Sequence, residues 1–223
     1  MIDPSARIHG SADLEEEVAV GPGSSVWNRA QIRRGARIGA ECIVGRDAFV
    51  DEGVTVGDRT KIQNAALIYH GVTVEDAVFI GPNAILTNDR FPRAITSTGD
   101  LARAEDWEVT PTILRHGCSI GAGAIVVAGA DVGRYATVGA GAVVTRPVGD
   151  HALVAGNPAR RLGWVCACGR RLVDPATGEN APADPAPDAE LFCSACERRY
   201  LYVPDAEGLE EESAGAMRQG APA

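Results

Sequence analysis

Ala36-Arg37-Ile38-Gly39-Ala40-Glu41-Cys42-Ile43-Val44-Gly45-Arg46-Asp47-Ala48-Phe49-Val50-Asp51-Glu52-Gly53-Val54-Thr55-Val56 decides the fold. Every sixth residue is aliphatic (Ile38, Val44, Val50, Val56), and two residues before each stands a small or β-branched one (Ala36, Cys42, Ala48, Val54). Outward from this stretch the register runs back through Ile32, Val26, Val20, Leu14 and Ile8 to Ile2. It runs forward through Ile62, Ile68, Val74 and Ile80 to Leu86 without a slip. After Leu86 it breaks, and it resumes in a new phase at Leu114, Ile120, Val126, Val132, Val138 and Val144. A fixed hexapeptide period is the sequence signature of a parallel β-helix. Residues two apart on a strand face the same side, so Ala36 with Ile38, or Ala48 with Val50, point into a narrow prism with three faces per coil. Gly recurs directly after the aliphatic position, at Gly21, Gly39, Gly45, Gly57, Gly81, Gly121, Gly133 and Gly139. There it is expected to supply the backbone angles of a tight corner. Cys42 and Cys118 occupy small inward positions and read as buried packing residues.

The chain has 223 residues, enough for one main domain and a small appendage. Only 5% of them are aromatic, which suits a thin coil filled with Ile, Val and Ala better than a globular core. A net charge of −9 argues against a nucleic-acid partner. No run approaches the ~18 apolar residues of a membrane span. The start, Met1-Ile2-Asp3-Pro4, already belongs to the repeat and lacks the basic and apolar regions of a signal peptide. The expected location is therefore the cytoplasm, where the six Cys would be reduced thiols.

The regular coils are expected over residues 1–163, with an insertion at 87–113. Polar insertions of this length in a strict array are usually functional or disordered, and in solenoids they emerge as loops on one side. This one carries Asn88, Asp89, Arg90, Arg93, Arg103 and Trp107, which suits an anionic ligand; a loop bracing a neighbouring subunit is the other reading. Pro147 and Pro158 donate no backbone hydrogen bond and mark the end of the coil within 148–163. Residues 164–203 read as a separate zinc-ribbon-like module. Cys166-Ala167-Cys168 and Cys193-Ser194-Ala195-Cys196 bracket a Pro/Ala/Asp-rich stretch, and four thiolates in two close pairs suit tetrahedral Zn²⁺. The first pair is C-x-C rather than the commoner C-x-x-C. Four unrelated reduced thiols are the alternative. Bound metal would be structural, because a four-thiolate site leaves no position for water. Residues 204–223 are acidic and rich in small residues, a composition of disordered segments.

Several motifs carry a resemblance to a known family. They are Ser25-Val26-Trp27-Asn28, Lys61-Ile62-Gln63-Asn64, the run Ile68 to Asp76, Phe79-Ile80-Gly81-Pro82, Leu86-Thr87-Asn88, the run Val138 to Thr145, and Gly156-Asn157-Pro158-Ala159. With these the chain resembles the left-handed β-helix acyltransferases that use acetyl-CoA. More narrowly it resembles the sugar-nucleotide 3-amino N-acetyltransferases, which acetylate UDP-2-acetamido-3-amino-2,3-dideoxyglucuronate or dTDP-3-amino-3,6-dideoxyhexoses in surface-glycan pathways such as lipopolysaccharide biosynthesis. The Trp164-Val165-Cys166-Ala167-Cys168-Gly169 appendage looks like that of the UDP-glucuronate branch. The likeness covers roughly residues 1–203. It implies a left-handed coil, a homotrimer, active sites between neighbouring β-helices, CoA along the C-terminal coils and the nucleotide sugar nearer the middle ones. A trimer would also provide partners for Trp27 and Tyr69, which directly follow inward residues and should point out of the coil.

Acetyl transfer needs a neutral amine, a positioned thioester and donors for the tetrahedral oxyanion. Related O-acetyltransferases carry a catalytic His in the loop just before a Pro; here that residue is Phe91, which favours an amine acceptor. By resemblance Asn88 is the polar residue nearest the sugar amine, with Asp89 as a weaker candidate for orienting the site. Asn-Asp pairs also favour turns. Lys61, Gln63, Asn64 and Tyr69 are candidates for the nucleotide-sugar pocket. Arg90 and Arg93 are candidates for its carboxylate or diphosphate, since Arg forks suit such groups. Arg146, Arg160 and Arg161 suit CoA phosphates, and main-chain groups around Gly121, Gly139 and Gly141 suit the pantetheine arm. His70 and His116 are the His residues to test as proton carriers; His9 and His151, near the ends of the coil, attract no role. Three rival readings stand beside this one. They are an O-acetyltransferase, a γ-class carbonic anhydrase, whose three-His site the scattered His residues do not offer, and a non-catalytic scaffold.

Overall fold

In the computed structural model, residues 1–204 and 208–211 are described. The chain is all-β among them, apart from one short 3₁₀ turn at Ala104–Asp106. Two-residue strands stack into three parallel sheets. The first runs from Arg7–Ile8 through Ser25–Val26, Ile43–Val44, Lys61–Ile62, Phe79–Ile80, Ser119–Ile120 and Thr137–Val138 to Ala152–Ala155, where Arg160–Trp164 adds an antiparallel edge. The second runs from Asp13–Leu14 to Val143–Val144, the third from Ala19–Val20 to Thr112–Leu114. In-register partners Arg7, Ser25, Ile43, Lys61 and Phe79 stand 18 residues apart, which is three hexapeptides per coil. This is a parallel β-solenoid built of hexapeptide repeats.

The inward pairs are buried as their spacing requires. Ala36, Ile32, Ile62, Ile68, Ile80, Leu86, Ile120 and Val126 are all fully enclosed. The polar residues at small inward positions have found partners, as burial demands. The Ser24 hydroxyl donates to the Gly39 carbonyl at 2.8 Å and accepts the Cys42 amide at 2.8 Å. Thr112 accepts the Gly129 amide at 2.9 Å.

The corner glycines work differently from the expectation. Left-handed backbone falls three residues after the aliphatic position, at Gly23, Gly35, Gly53 and Gly141 but also at Glu17, Arg29, Glu41, Asp47 and Arg59. From Arg29 onward the amides of these ordinary residues bond to carbonyls of the preceding coil, Glu41 to Pro22 at 2.8 Å and Arg59 to Ala40 at 2.7 Å. The glycines directly after the aliphatic residue do not have positive φ. They are required by close approach: a Cβ on Gly57 would fall 2.7 Å from the backbone nitrogen of Asp76 and the carbonyl carbon of Glu75 on the next coil.

The step from Phe79 to Ser119 is 40 residues instead of 18, and the extra chain leaves the second sheet after Ile85–Leu86. Thr112–Leu114 pairs with Val72–Val74, so the coil resumes at Thr112, slightly before the expected boundary at 113. At the far end Glu190–Phe192, Arg199–Val203 and Gly208–Glu211 form a small antiparallel sheet. Part of the segment expected to be disordered is thus a strand, held by main-chain bonds to Arg199–Val203 and by the buried Leu209. The remaining residues of that segment, 205–207 and 212–223, lie outside the described ones. Trp164, Cys166, Leu172, Leu191, Cys193 and Tyr200 belong to one hydrophobic core with the coil.

Candidate functional site

Polar candidates gather at two places, the stem of the insertion and the C-terminal end of the coil. At the stem, Thr87 bonds into the next coil, its amide donating to the Val126 carbonyl at 3.0 Å and its hydroxyl oxygen accepting the Ala128 amide at 3.0 Å. Asn88 follows, its carbonyl accepting the Thr110 amide at 2.9 Å, so the two limbs of the loop are pinned together at Asn88. Its side chain is half-buried and makes no hydrogen bond to another described residue. Asp89 is spent locally: its carboxylate accepts the Phe91 amide at 2.8 Å. Asp89, rather than Asn88, is therefore the turn-forming member of the pair. Beyond it the loop borders an open groove of about 760 Å³ lined by Asp89, Phe91, Arg93, Arg103, Asp106 and Trp107. Arg90 is exposed and does not line it. Phe91 and Leu101 are 81% and 72% exposed, so the loop displays apolar side chains that its own coil does not cover.

Lys61 and Gln63 lie on the first sheet and at its corner, Lys61 exposed. Asn64 has a structural task that its spacing hid. Its side-chain oxygen accepts the Arg46 amide at 2.9 Å, the bond that Asp58 makes to Ala40 and Asp150 makes to Arg134 at equivalent corners, both at 2.7 Å. Tyr69 points outward as expected, its ring 5.6 Å from that of Phe49. His70 is tied to the preceding coil through Nδ1 and the Glu52 carbonyl at 2.7 Å. His116 packs edge-on against Tyr135. Neither His meets the insertion stem in these bonds.

At the other place, Arg146, Arg160 and Arg161 line one cleft of about 500 Å³ with Thr145, Pro147 and Ala159. Sequence reasoning grouped these three Arg but missed Tyr202 and Pro204, which line the cleft from the C-terminal module. No spacing signal could have found them, because they reach the cleft through a separate sheet. Arg161 is ion-paired to Asp184, and its guanidinium lies 4.7 Å above the Trp164 ring. Gly121 and Gly139 have the close-packing role described above. A Cβ on Gly121 would fall 2.5 Å from Ala140 nitrogen, and one on Gly139 would fall 2.8 Å from Ala155 Cβ. Gly141 differs, with φ +67° and open space around it.

The sulfurs of Cys166, Cys168, Cys193 and Cys196 all lie within 4.8 Å of one another, with none paired as a disulfide. The Cys166 thiol is lowered to about 7. Burial, its largest influence, opposes ionisation, but the Cys168 amide, the Tyr200 hydroxyl and the Cys196 thiol together outweigh it. His151, which attracted no role from its place in the chain, is buried with Nδ1 2.9 Å from the Val165 carbonyl. Burial lowers its pKa, with the carbonyl bond acting in the opposite sense.

Fold and repeat together define a hexapeptide-repeat β-solenoid protein, and residues 35–70 and 111–146 match the family described as the hexapeptide repeat of succinyl-transferase. Among curated proteins, the chain is 44% identical over 92 residues to dTDP-3-amino-3,6-dideoxy-α-D-galactopyranose 3-N-acetyltransferase of Aneurinibacillus thermoaerophilus, 41% of each chain. It is 39% identical over 87 residues to serine acetyltransferase of Escherichia coli K12, 39% of this chain and 31% of that one. The chain thus matches about two fifths of the length of the first relative and under a third of the second. Among solved structures, AntD, an N-acyltransferase from Bacillus cereus in complex with dTDP and 3-hydroxybutyryl-CoA, superposes with a TM-score of 0.51 at 18% identity, covering 72% of this chain and 80% of that one. That likeness establishes the fold.

Proposed function

We propose that the protein transfers the acetyl group of acetyl-CoA to the 3-amino group of a nucleotide-linked aminosugar. The observation that carries this reading is the 44% identity over 92 residues to an enzyme whose name states that reaction on a dTDP-sugar. The loop supports it: Phe91 precedes Pro92 where the resembling O-acetyltransferases place a catalytic His, and an amine acceptor has less need of such a base than a hydroxyl. In this reading the Asn88 side-chain carbonyl accepts a hydrogen bond from the sugar amine and turns its lone pair toward the thioester carbon. Attack forms the C–N bond and an oxyanion. Collapse breaks the C–S bond, and the ammonium proton passes to the departing CoA thiolate, directly or through water. Arg146, Arg160 and Arg161, brought into one cleft, hold the CoA phosphates. Lys61, Gln63 and Tyr69, with Arg90 and Arg93, face the nucleotide sugar. A UDP-linked uronic acid is the form of substrate that the Cys appendage favours, with a surface glycan as the product's destination and the cytoplasm as the place of action.

The active unit in this reading is a homotrimer. Its support is an outward apolar ladder on the second sheet, Phe49, Leu67, Ile85, Ile125 and Val143 in successive register. The insertion leaves the same sheet at Thr87, so a neighbour packed there would stand beside Asn88. The four Cys fit a structural Zn²⁺, which takes no part in the chemistry because four thiolates leave no open position. The partial likeness to serine acetyltransferase keeps a hydroxyl acceptor as the second reading.

The test is thiol release from acetyl-CoA with a panel of UDP- and dTDP-3-aminosugars and with hydroxyl acceptors including serine. Turnover on an aminosugar nucleotide is expected, lowered about a hundredfold in kcat by Asn88→Ala, the scale of loss from mispositioned reactants. Turnover confined to hydroxyl acceptors would sink the amine reading.

A further inference from the structure

The two Cys pairs form matched hairpins despite their unequal spacing. Cys166 donates its amide to Arg170 at 2.8 Å, and Gly169 donates to Cys166 at 2.8 Å. Cys193 donates to Arg198 at 2.9 Å, and Glu197 donates to Cys193 at 2.8 Å. The residue after each second Cys is left-handed, Gly169 at φ 85° and Glu197 at φ 61°. The C-x-C hairpin is therefore the same device shortened by one residue. Across the hairpins, Cys166 and Cys196 sulfurs are 3.4 Å apart, and Cys168 and Cys193 sulfurs 3.6 Å. Four thiolates at ~2.3 Å from a tetrahedral Zn²⁺ stand about 3.8 Å apart, whereas a disulfide needs about 2.05 Å.

One strand joins this cluster to the Arg cleft. Arg199–Val203 begins three residues after Cys196 and carries Tyr200 and Tyr202 on the same, buried face. The Tyr200 hydroxyl lies 3.2 Å from Cys166 sulfur and accepts the Ala167 amide at 3.1 Å. Its ring packs tilted against His151 with centroids 5.0 Å apart, and His151 packs tilted against Tyr135 of the coil at 5.1 Å. Tyr202 packs at 5.3 Å on Trp164 and lines the cleft. Asp184, on the segment between the hairpins, pairs with the cleft residue Arg161.

We propose that the Zn²⁺ held by Cys166, Cys168, Cys193 and Cys196 positions one wall of the Arg146–Arg160–Arg161 cleft, so that binding of a phosphorylated adenine nucleotide there depends on the metal. The proposal rests on the reading of that cleft as the acetyl-CoA phosphate site. Without the metal the hairpins keep their main-chain bonds, the Tyr200 contact and their core packing, but lose the group that joins the four sulfurs to one another. Tyr202 and Asp184 then lose the fixed positions that shape the cleft and tether Arg161.

The experiment uses the full chain. Elemental analysis of the purified protein is expected to find one zinc per chain, lost in Cys196→Ser, and cobalt substitution is expected to give the absorption of a tetrahedral thiolate site. Calorimetric titration then uses adenosine 3′,5′-bisphosphate, which has no thiol to compete for zinc. Chelator-stripped protein that keeps its far-ultraviolet β-signature is expected to bind this probe about tenfold more weakly or worse, a loss of about 1.4 kcal/mol, with recovery on returning zinc. Absence of stoichiometric zinc, or iron in its place, overturns the metal assignment. Zinc present with equal affinity before and after stripping overturns the coupling. If the zinc-loaded protein fails to bind the probe at all, the cleft is not a nucleotide-phosphate site, and that reading falls together with the coupling while the metal analysis stands on its own result.

Discussion

Gly121→Ala and Gly141→Ala separate two reasons for a glycine that the sequence presents alike. At Gly121 the added Cβ would meet Ala140 nitrogen at 2.5 Å, Gly139 carbonyl carbon at 2.6 Å and Val138 oxygen at 2.7 Å. All three are backbone atoms of the next coil, and Val138 oxygen already accepts the Gly121 amide at 2.8 Å, so no flexible side chain can give way. Overpacking costs about 1–3 kcal/mol where neighbours can shift, and a rigid wall belongs at the upper end. Replacing Gly stiffens the unfolded chain and returns about 0.4–1 kcal/mol. The net loss at Gly121 is therefore about 2 kcal/mol or more, which lowers the midpoint of a domain this size by about 4–8 °C. At Gly141 the Cβ meets nothing, and the cost is the left-handed backbone, roughly 1–2 kcal/mol before the same return. The net there is about 0–1.6 kcal/mol, below the loss at Gly121. Urea titrations at equilibrium, with thermal midpoints beside them, measure both. A loss at Gly141 equal to or larger than that at Gly121 would refute the argument that inter-coil approach, not corner torsion, selects the glycines after the aliphatic residues.

Other outcomes follow from the same geometry. Arg146→Ala and Arg160→Ala, both exposed in the cleft, should each raise the KM for acetyl-CoA about tenfold, the scale of a charge-assisted hydrogen bond, with kcat nearly unchanged; a kcat effect at constant KM would place them elsewhere. His151 has its pKa lowered in the fold mainly by burial, near Asp150, Glu211 and Arg134. The unfolded chain therefore takes up the proton first as pH falls, and stability should drop below about pH 6.5. Comparing urea midpoints at about pH 7.5 and 5.5 checks this, and His151→Phe should flatten the dependence over that window. Ile85→Glu, at the centre of the apolar ladder, should convert a trimer to monomers in sedimentation velocity while leaving the β-signature intact; an unchanged sedimentation coefficient would remove that face from the interface.

The period alone determined the prism, its three faces and its buried residues. Each inward residue is dictated by its own strand and by copies of itself 18 residues away, so a local pattern repeats the same information many times. The break after Leu86 likewise located the insertion, since an array that strict betrays any departure. The structural tasks of Asn64 and Gly121 were not legible because the groups that claim them, the Arg46 amide and the Ala140 backbone, lie one coil away and leave no mark on their own hexapeptide. His151, Tyr202, Asp184 and Arg161 became one system only when the last strands folded back on the end of the coil. That packing joins residues up to about 50 positions apart with no repeat between them, and it is set by which apolar faces remain to be covered once the coil is built. The four Cys stood between these cases. Their identity and pairing were visible in the chain, while the sub-5 Å approach of their sulfurs was decided by the fold.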